Sequence, residues 1–200
     1  MEHPVIISGG GIIGCYVHLR LKQAGISSQI IEKGPSLTSL SSNIRTISLN
    51  PSTYKLLLEI GIELESASVE TIKVSDGDGS GKIQFTANEV DEEALSHVAM
   101  FNELLEKIQD KASNAIQFES EIISVSKLDK LTKITLSNNC ELQTSLLIGS
   151  DGRNSPVAQL SNFISKTNDY KQTAFTFLAK EASDDNNSTA IQIFSDKGIF

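Results

Sequence analysis

The first thirty residues change periodicity twice. An unbroken apolar run, Val5-Ile6-Ile7, meets a cluster of glycines; apolar positions then recur at helical spacing from Ile12 to about Ala24, and Gln29-Ile30-Ile31 returns to a strand-like run. Gly25 stands where glycine closes a helix, so the pattern predicts strand, turn, helix and strand joined as a right-handed parallel crossover. A second helix starts at Asn50, suited to capping, and Pro51, suited to the first helical position; Leu56, Leu57 and Ile60 form its apolar stripe and Gly61 ends it. Val69 to Asn88 reads as a hairpin broken by the turn Asp76-Gly77-Asp78-Gly79-Ser80-Gly81. A further helix covers about Asn102 to Ala112, with Leu104, Leu105, Ile108 and Ala112 on one face. Short strands follow around Ile116–Phe118, Ile122–Leu128, Ile134–Leu136 and Leu142–Ile148, with Asn138-Asn139 turning between the last two. Residues 172–180 and 190–195 are strand-like again, and the apolar, uncapped Lys197-Gly198-Ile199-Phe200 reads as another strand beginning, as expected of a fragment.

Two hundred residues hold one ordinary domain, or one and a half of something larger. With 39% apolar and 21% charged residues the chain is neither disordered nor collagenous. Seventeen Lys+Arg against 25 Asp+Glu leave a formal charge of −8, which argues against a broad grip on nucleic acid or anionic membranes. No run approaches the roughly 18 apolar residues of a spanning helix, and no basic flank or cleavage site precedes Val5, so the expected compartment is the cytoplasm. Cys15 and Cys140 fit neither metal-ligand spacing nor a disulfide framework and read as buried hydrophobes. His3, His18 and His97 are scattered, leaving no zinc pattern; His97 reads as a satisfied structural histidine before a substrate-facing base. Asp76, Asp78, Ser80 and Gly81 start like a calcium loop, but position twelve is Ala87, so no metal is expected. Glu89 to Glu93 reads as a solvated acidic loop.

The chemistry concentrates in the glycine cluster. Gly9, Gly11 and Gly14 have G-x-G-x-x-G spacing directly after a strand and at the opening of a helix. In that setting Gly9 permits the tight turn, Gly11 the approach of a diphosphate, and Gly14 close packing of helix on strand. Ile12 and Ile13 lie in the first turn, whose free N–H groups and positive dipole end face the diphosphate. The second strand ends in Glu32, 18 positions after Gly14, placed to accept hydrogen bonds from an adenosine ribose, with Lys33 beside it. A 2′-phosphate would meet a like charge there, so this site favours FAD or NAD over NADP. Glu32 beside Lys33 is also compatible with a solvated strand end.

A later segment separates the two nucleotides. Leu146-Leu147-Ile148-Gly149-Ser150-Asp151-Gly152 is an apolar strand running into Asp-Gly, and Ser155-Pro156-Val157 then starts a helix. With the first fingerprint, this resembles the second motif of the FAD-dependent aromatic-ring monooxygenases, the p-hydroxybenzoate hydroxylase-like family that includes the ubiquinone-biosynthesis hydroxylases. Arg45-Thr46-Ile47-Ser48-Leu49 with Ser52 and Leu56 to Gly61 looks like that family's arginine-bearing stretch and following helix, closest to the ubiquinone branch. The resemblance spans about residues 4–162. It implies an α/β fold: a three-layer, Rossmann-like FAD-binding domain over 1–68 and 101–165, interrupted by a partial β-rich substrate domain over 69–100 and 166–200. It further implies FAD held by Gly9, Gly11, Gly14, Glu32, Arg45, Asp151 and Gly152, and hydroxylation of an aromatic small molecule, a ubiquinone precursor, with NAD(P)H and O2. A greasy precursor leaves room for peripheral association with the inner membrane or with other enzymes. Arg45 could instead serve as a surface ion-pair partner, and Asp151 as a turn residue before a helix. The family's polar residue before the second long helix falls at Met100 or Phe101, and its third motif, a Gly-Asp pair, does not occur within the 200 residues. No catalytic acid or base stands out. An NAD-dependent dehydrogenase and a non-catalytic FAD-binding fragment remain as alternatives.

Overall fold

The computed structural model describes residues 3–36, 44–179 and 188–200. By packing, the chain divides into two compact units, 1–42 with 104–174 and 43–103 with 175–200. The second thus gathers residues 43–68, which the sequence reading grouped with the nucleotide-binding portion.

The first unit is built on the expected crossover. β1 (Val5–Ser8), α1 (Ile12–Gln23) and β2 (Ser28–Ile31) are followed by α3 (Phe101–Ala112), whose first residues belong to the second unit, then β8 (Ile116–Gln117), β9 (Ile122–Leu128), β10 (Leu131–Leu136), β11 (Glu141–Thr144), β12 (Leu147–Gly149) and α4 (Pro156–Leu160). A fully parallel sheet runs in the order β12-β1-β2-β8, and an antiparallel meander in the order β11-β10-β9. All four residues of β1 are buried, which is why Val5, Ile6 and Ile7 are apolar without alternation; the fourth, Ser8, is a buried polar residue. One face of the sheet packs Ile6 and Ile31 against Ile122, Ile134 and Leu136 of the meander and Val157 of α4. Ile7 and Ile30 have the opposite parity, on the side where His18 of α1 meets Ser28. These are the layers of a Rossmann-like α/β fold.

The second unit contains β3 (Thr46–Leu49), α2 (Pro51–Glu59), β4 (Ser66–Val69), β5 (Thr71–Asp76), β6 (Lys82–Thr86), β7 (Ser96–Met100), β13 (Thr189–Ser195) and β14 (Gly198–Ile199). Its sheets are β14-β13-β5-β6 and β3-β7-β4. The Asn50 carboxamide caps α2 by accepting from Thr53 N at 2.7 Å, and β5 and β6 form the hairpin around the glycine-rich turn. His97 stacks on Tyr54, ring centroids 4.0 Å apart.

Three expectations need correction. Leu142–Ile148 is not one strand: it breaks after Thr144 into β11, paired antiparallel with β10, and β12, paired parallel with β1. The buried Thr144 hydroxyl makes the break, lying 2.7 Å from the Pro4 carbonyl and accepting from Leu146 N at 3.1 Å, so the chain changes sheets in two residues. Cys140 is exposed, because it follows the Asn138 turn and donates its backbone N–H to that side chain, whereas Cys15 is fully buried. Residues 172–179 form no strand despite their apolar content, since no ladder receives them; residue 180 lies outside the described residues.

Candidate functional site

β1 delivers the chain to Gly9 at the carboxyl end of the parallel sheet. Gly9 has φ of +101°, and a Cβ there would lie 2.8 Å from Asp151 Cα, so both backbone and space demand glycine. A Cβ on Gly14 would overlap the Gly9 carbonyl oxygen and come within 2.8 Å of Ser150 Oγ, which leaves α1 resting directly on the turn. Gly11 differs. Its φ of −74° and ψ of −175° suit any residue, and a Cβ there would meet nothing among the described residues within 4 Å. What glycine preserves at this position is open space beside the turn.

The two peptides that meet at Gly10 are each held. The Gly10 N–H donates to Glu32 Oε2 at 2.6 Å, while the Gly10 carbonyl accepts from Gln109 Nε2 at 2.7 Å and from Cys15 Sγ at 3.3 Å. Burial, with the Glu32 charge adding to it, pushes the Cys15 thiol up to about 12, so it stays a protonated donor. The other Glu32 oxygen accepts from Gly34 N at 2.6 Å. A carboxylate has about four acceptor positions, so two backbone donors fix Glu32 in place without exhausting it.

Across the cleft, Ser150 Oγ lies 2.8 Å from the Ser8 carbonyl and 3.2 Å from that of Gly9, tying the end of β12 to the turn. Asp151 Oδ2 accepts from Val157 N at 3.1 Å and from Ser8 Oγ at 3.3 Å, a carboxylate at the start of α4. Its Oδ1 is buried with no hydrogen-bond partner among the described residues. Ser155 Oγ caps the same helix by accepting from Ala158 N at 3.0 Å, and Gly152 follows Asp151 with φ of +87°.

These elements enclose a cleft of about 250 Å³. Of the sequence-predicted residues, Gly9, Gly11, Glu32, Lys33, Asp151 and Gly152 line it, and Gly14 supports it from beneath. Ile12 and Ile13 form the first turn of α1, which has no side-chain cap and no acidic residue, leaving its N–H groups for an anion. Arg45 lies in the second unit, its guanidinium carbon 4.4 Å from the centroid of the Phe101 ring in a cation–π contact. Sequence reasoning missed Ser8, Ser120, Glu121, Ile122 and Ser150 on the cleft wall, and Gln109 behind it. Ser8, the residue before Gly9, and Ser150, the residue before Asp151, adjoin the motifs and are legible there. The others carry no spacing signal, because Ser120 and Glu121 arrive from the connection between β8 and β9, Ile122 from β9 and Gln109 from α3. The cleft is smaller than the roughly 300–1,000 Å³ that encloses a whole drug-sized ligand, so it suits one part of a dinucleotide.

The sequence model described as "FAD binding domain" matches residues 2–195. An uncharacterized protein of Synechocystis is 28% identical over 98% of this chain and 50% of its own length. Monooxygenase 1 of Arabidopsis thaliana is 29% identical over 78% of this chain and 40% of its own. The mitochondrial ubiquinone biosynthesis monooxygenase COQ6 of Caenorhabditis elegans is 26% identical over 98% of this chain and 48% of its own. The chain therefore spans about half the length of these curated relatives or less. Among solved structures, PqsL of Pseudomonas aeruginosa, described as a probable FAD-dependent monooxygenase, is similar in fold with a TM-score of 0.70 at 19% identity, over 85% of this chain and 48% of that one. Klebsiella pneumoniae HpxO complexed with FAD has a TM-score of 0.62 at 20% identity, over 78% and 41%.

Proposed function

The chain belongs to the FAD-binding domain family, and from that premise we propose that it is the cofactor-holding portion of a flavin-dependent monooxygenase that hydroxylates an aromatic ring. The proposed substrate is a ubiquinone precursor, with NAD(P)H as reductant and O2 as the oxygen source. The names of the ubiquinone-biosynthesis and monooxygenase relatives support this class. The observation that carries the reading is the convergence of the glycine turn, Glu32 and Asp151 on one cleft at the carboxyl end of a parallel sheet.

One feature of the cleft fits FAD: the direction of a Gly11 Cβ is open among the described residues, as a diphosphate passing close to the backbone requires. Gly9, Gly11, Gly14 and the first-turn N–H groups of Ile12 and Ile13 would hold the diphosphate. Glu32, with Lys33 adjacent, would take the adenosine ribose, and Asp151 and Gly152 the far wall. Arg45 is assigned to the cofactor by resemblance alone. Residues 1–68 and 101–165 would serve the cofactor, and 69–100 with 166–200 the substrate. Bound FAD would supply the redox chemistry that activates O2 and places an oxygen on an electron-rich ring carbon. The protein's part is grip, orientation and exclusion of water. The proposed compartment is the cytoplasm, with peripheral membrane or multi-enzyme association as its extension; among the described residues no helix is long and apolar enough to cross a membrane.

The test is titration of the purified chain with FAD, followed by flavin fluorescence, beside a Glu32→Ala variant. Wild type is expected to bind and the variant to bind more weakly. No binding by wild type would sink the reading, and equal binding by the variant would remove the ribose role of Glu32.

A further inference from the structure

We infer that Gln109 is a positioning residue for the diphosphate-binding turn, holding the Gly10–Gly11 peptide so that the Gly11 N–H faces the cleft. The inference rests on the reading of that cleft as the FAD diphosphate site. It starts from peptide geometry: in a trans peptide the carbonyl of one residue and the N–H of the next point in opposite directions. No cis peptide occurs among the described residues. The Gly10 carbonyl is drawn inward by Gln109 Nε2 at 2.7 Å and Cys15 Sγ at 3.3 Å, so the Gly11 N–H on the same plane must point the other way. Gly11 lines the cleft, and a Cβ built on it would meet nothing among the described residues within 4 Å, so no side chain of its own crowds that approach.

The alternative orientation is readily accessible to this backbone. Glycine on both sides of the peptide imposes little torsional restraint, so the plane could turn over and aim the Gly10 carbonyl at the phosphates. An anion would then meet an acceptor dipole where it needs a donor. Of the two groups that prevent this, the thiol is a weak donor, leaving the Gln109 amide as the principal restraint. The orientation of that amide is itself fixed, because exchanging its two ends would press Oε1, which has no hydrogen-bond partner among the described residues, against the Gly10 carbonyl, one acceptor against another. Gln109 comes from α3, 99 positions along the chain from Gly10, so the restraint is independent of the fingerprint.

The test uses the whole chain and its Gln109→Leu and Gln109→Met variants, neither of which can donate. Each is titrated with FAD, ADP and adenosine, the last lacking the diphosphate, while the Gly11 amide proton is followed by NMR. The variants are expected to bind FAD and ADP about tenfold more weakly, the size of one lost charge-assisted hydrogen bond. Adenosine affinity should be unchanged. In wild type the Gly11 amide proton should move downfield with ADP. Unaltered FAD and ADP affinity in a folded variant overturns the inference and leaves the cleft reading standing, as does an equal loss for adenosine, which a merely structural role would give. Should both variants unfold, the wild-type resonance decides alone: a Gly11 amide indifferent to bound ADP refutes the inference. Wild type binding neither FAD nor ADP overturns the cleft reading and the inference together.

Discussion

Replacing Gly11 by Ala separates cofactor binding from folding at one position. Two small terms act on stability. Alanine is a poorer N-cap than glycine by about 0.5–1 kcal/mol, while a Gly→Ala change in a compatible backbone gains about 0.4–1 kcal/mol by restricting the unfolded chain. Gly11 is compatible, with φ of −74°, and its new methyl group would touch nothing within 4 Å. The two terms nearly cancel, so the urea midpoint measured by circular dichroism should correspond to a change within about 0.5 kcal/mol. Binding has no such compensation. The methyl group would occupy the clear side of the turn, and each charge-assisted N–H contact to a displaced phosphate is worth about 1.5–3 kcal/mol. FAD affinity from fluorescence titration should therefore fall by about 10- to 150-fold. Unchanged affinity with unchanged stability would mean that no diphosphate approaches Gly11. A stability loss above about 2 kcal/mol would mean that the glycine is needed by the fold.

Gly14→Ala should act the other way round. Alanine favours a helix interior by about 1 kcal/mol, but the added Cβ overlaps the Gly9 carbonyl, a backbone atom unable to swing aside, so a net loss of about 1–3 kcal/mol is expected in urea unfolding. An unaltered midpoint would show that helix and turn can separate without cost. Cys140 should react with a thiol reagent at pH 8 while Cys15 stays unlabelled in the folded chain, and equal labelling would contradict the burial of Cys15. Folding raises the Cys15 value from 9.0 to about 12, so its contribution is complete below pH 9 and is lost as pH rises from there towards 12; Cys15→Ala should remove that part of the alkaline decline in the urea midpoint. Burial first, and the nearby Lys22 charge second, hold His18 below its ordinary 6.5. The unfolded chain then binds the extra proton first, so stability present above pH 6.5 is lost as pH falls through the folded value, and His18→Gln should flatten that acid limb in urea titrations.

What the sequence determined by itself is local. The run Val5-Ile6-Ile7, the glycine spacing and Glu32 fixed the crossover, because a strand buried on both faces, an uncapped helix start and a strand-end acid each leave a mark within a few residues. The Asn50 cap and the Asp76–Gly81 turn were legible for the same reason. What only the tertiary structure decided depends on partners distant along the chain. Thr144 ends β11 because its hydroxyl finds Pro4, 140 positions away, and β13 lies parallel to β5 although more than a hundred residues separate them. Gln109 reads as an ordinary polar position on an amphipathic helix until α3 is seen against the Gly10 carbonyl. A cap or a period is set by neighbouring residues, whereas the orientation of a peptide plane is set by whichever donor the fold brings to it.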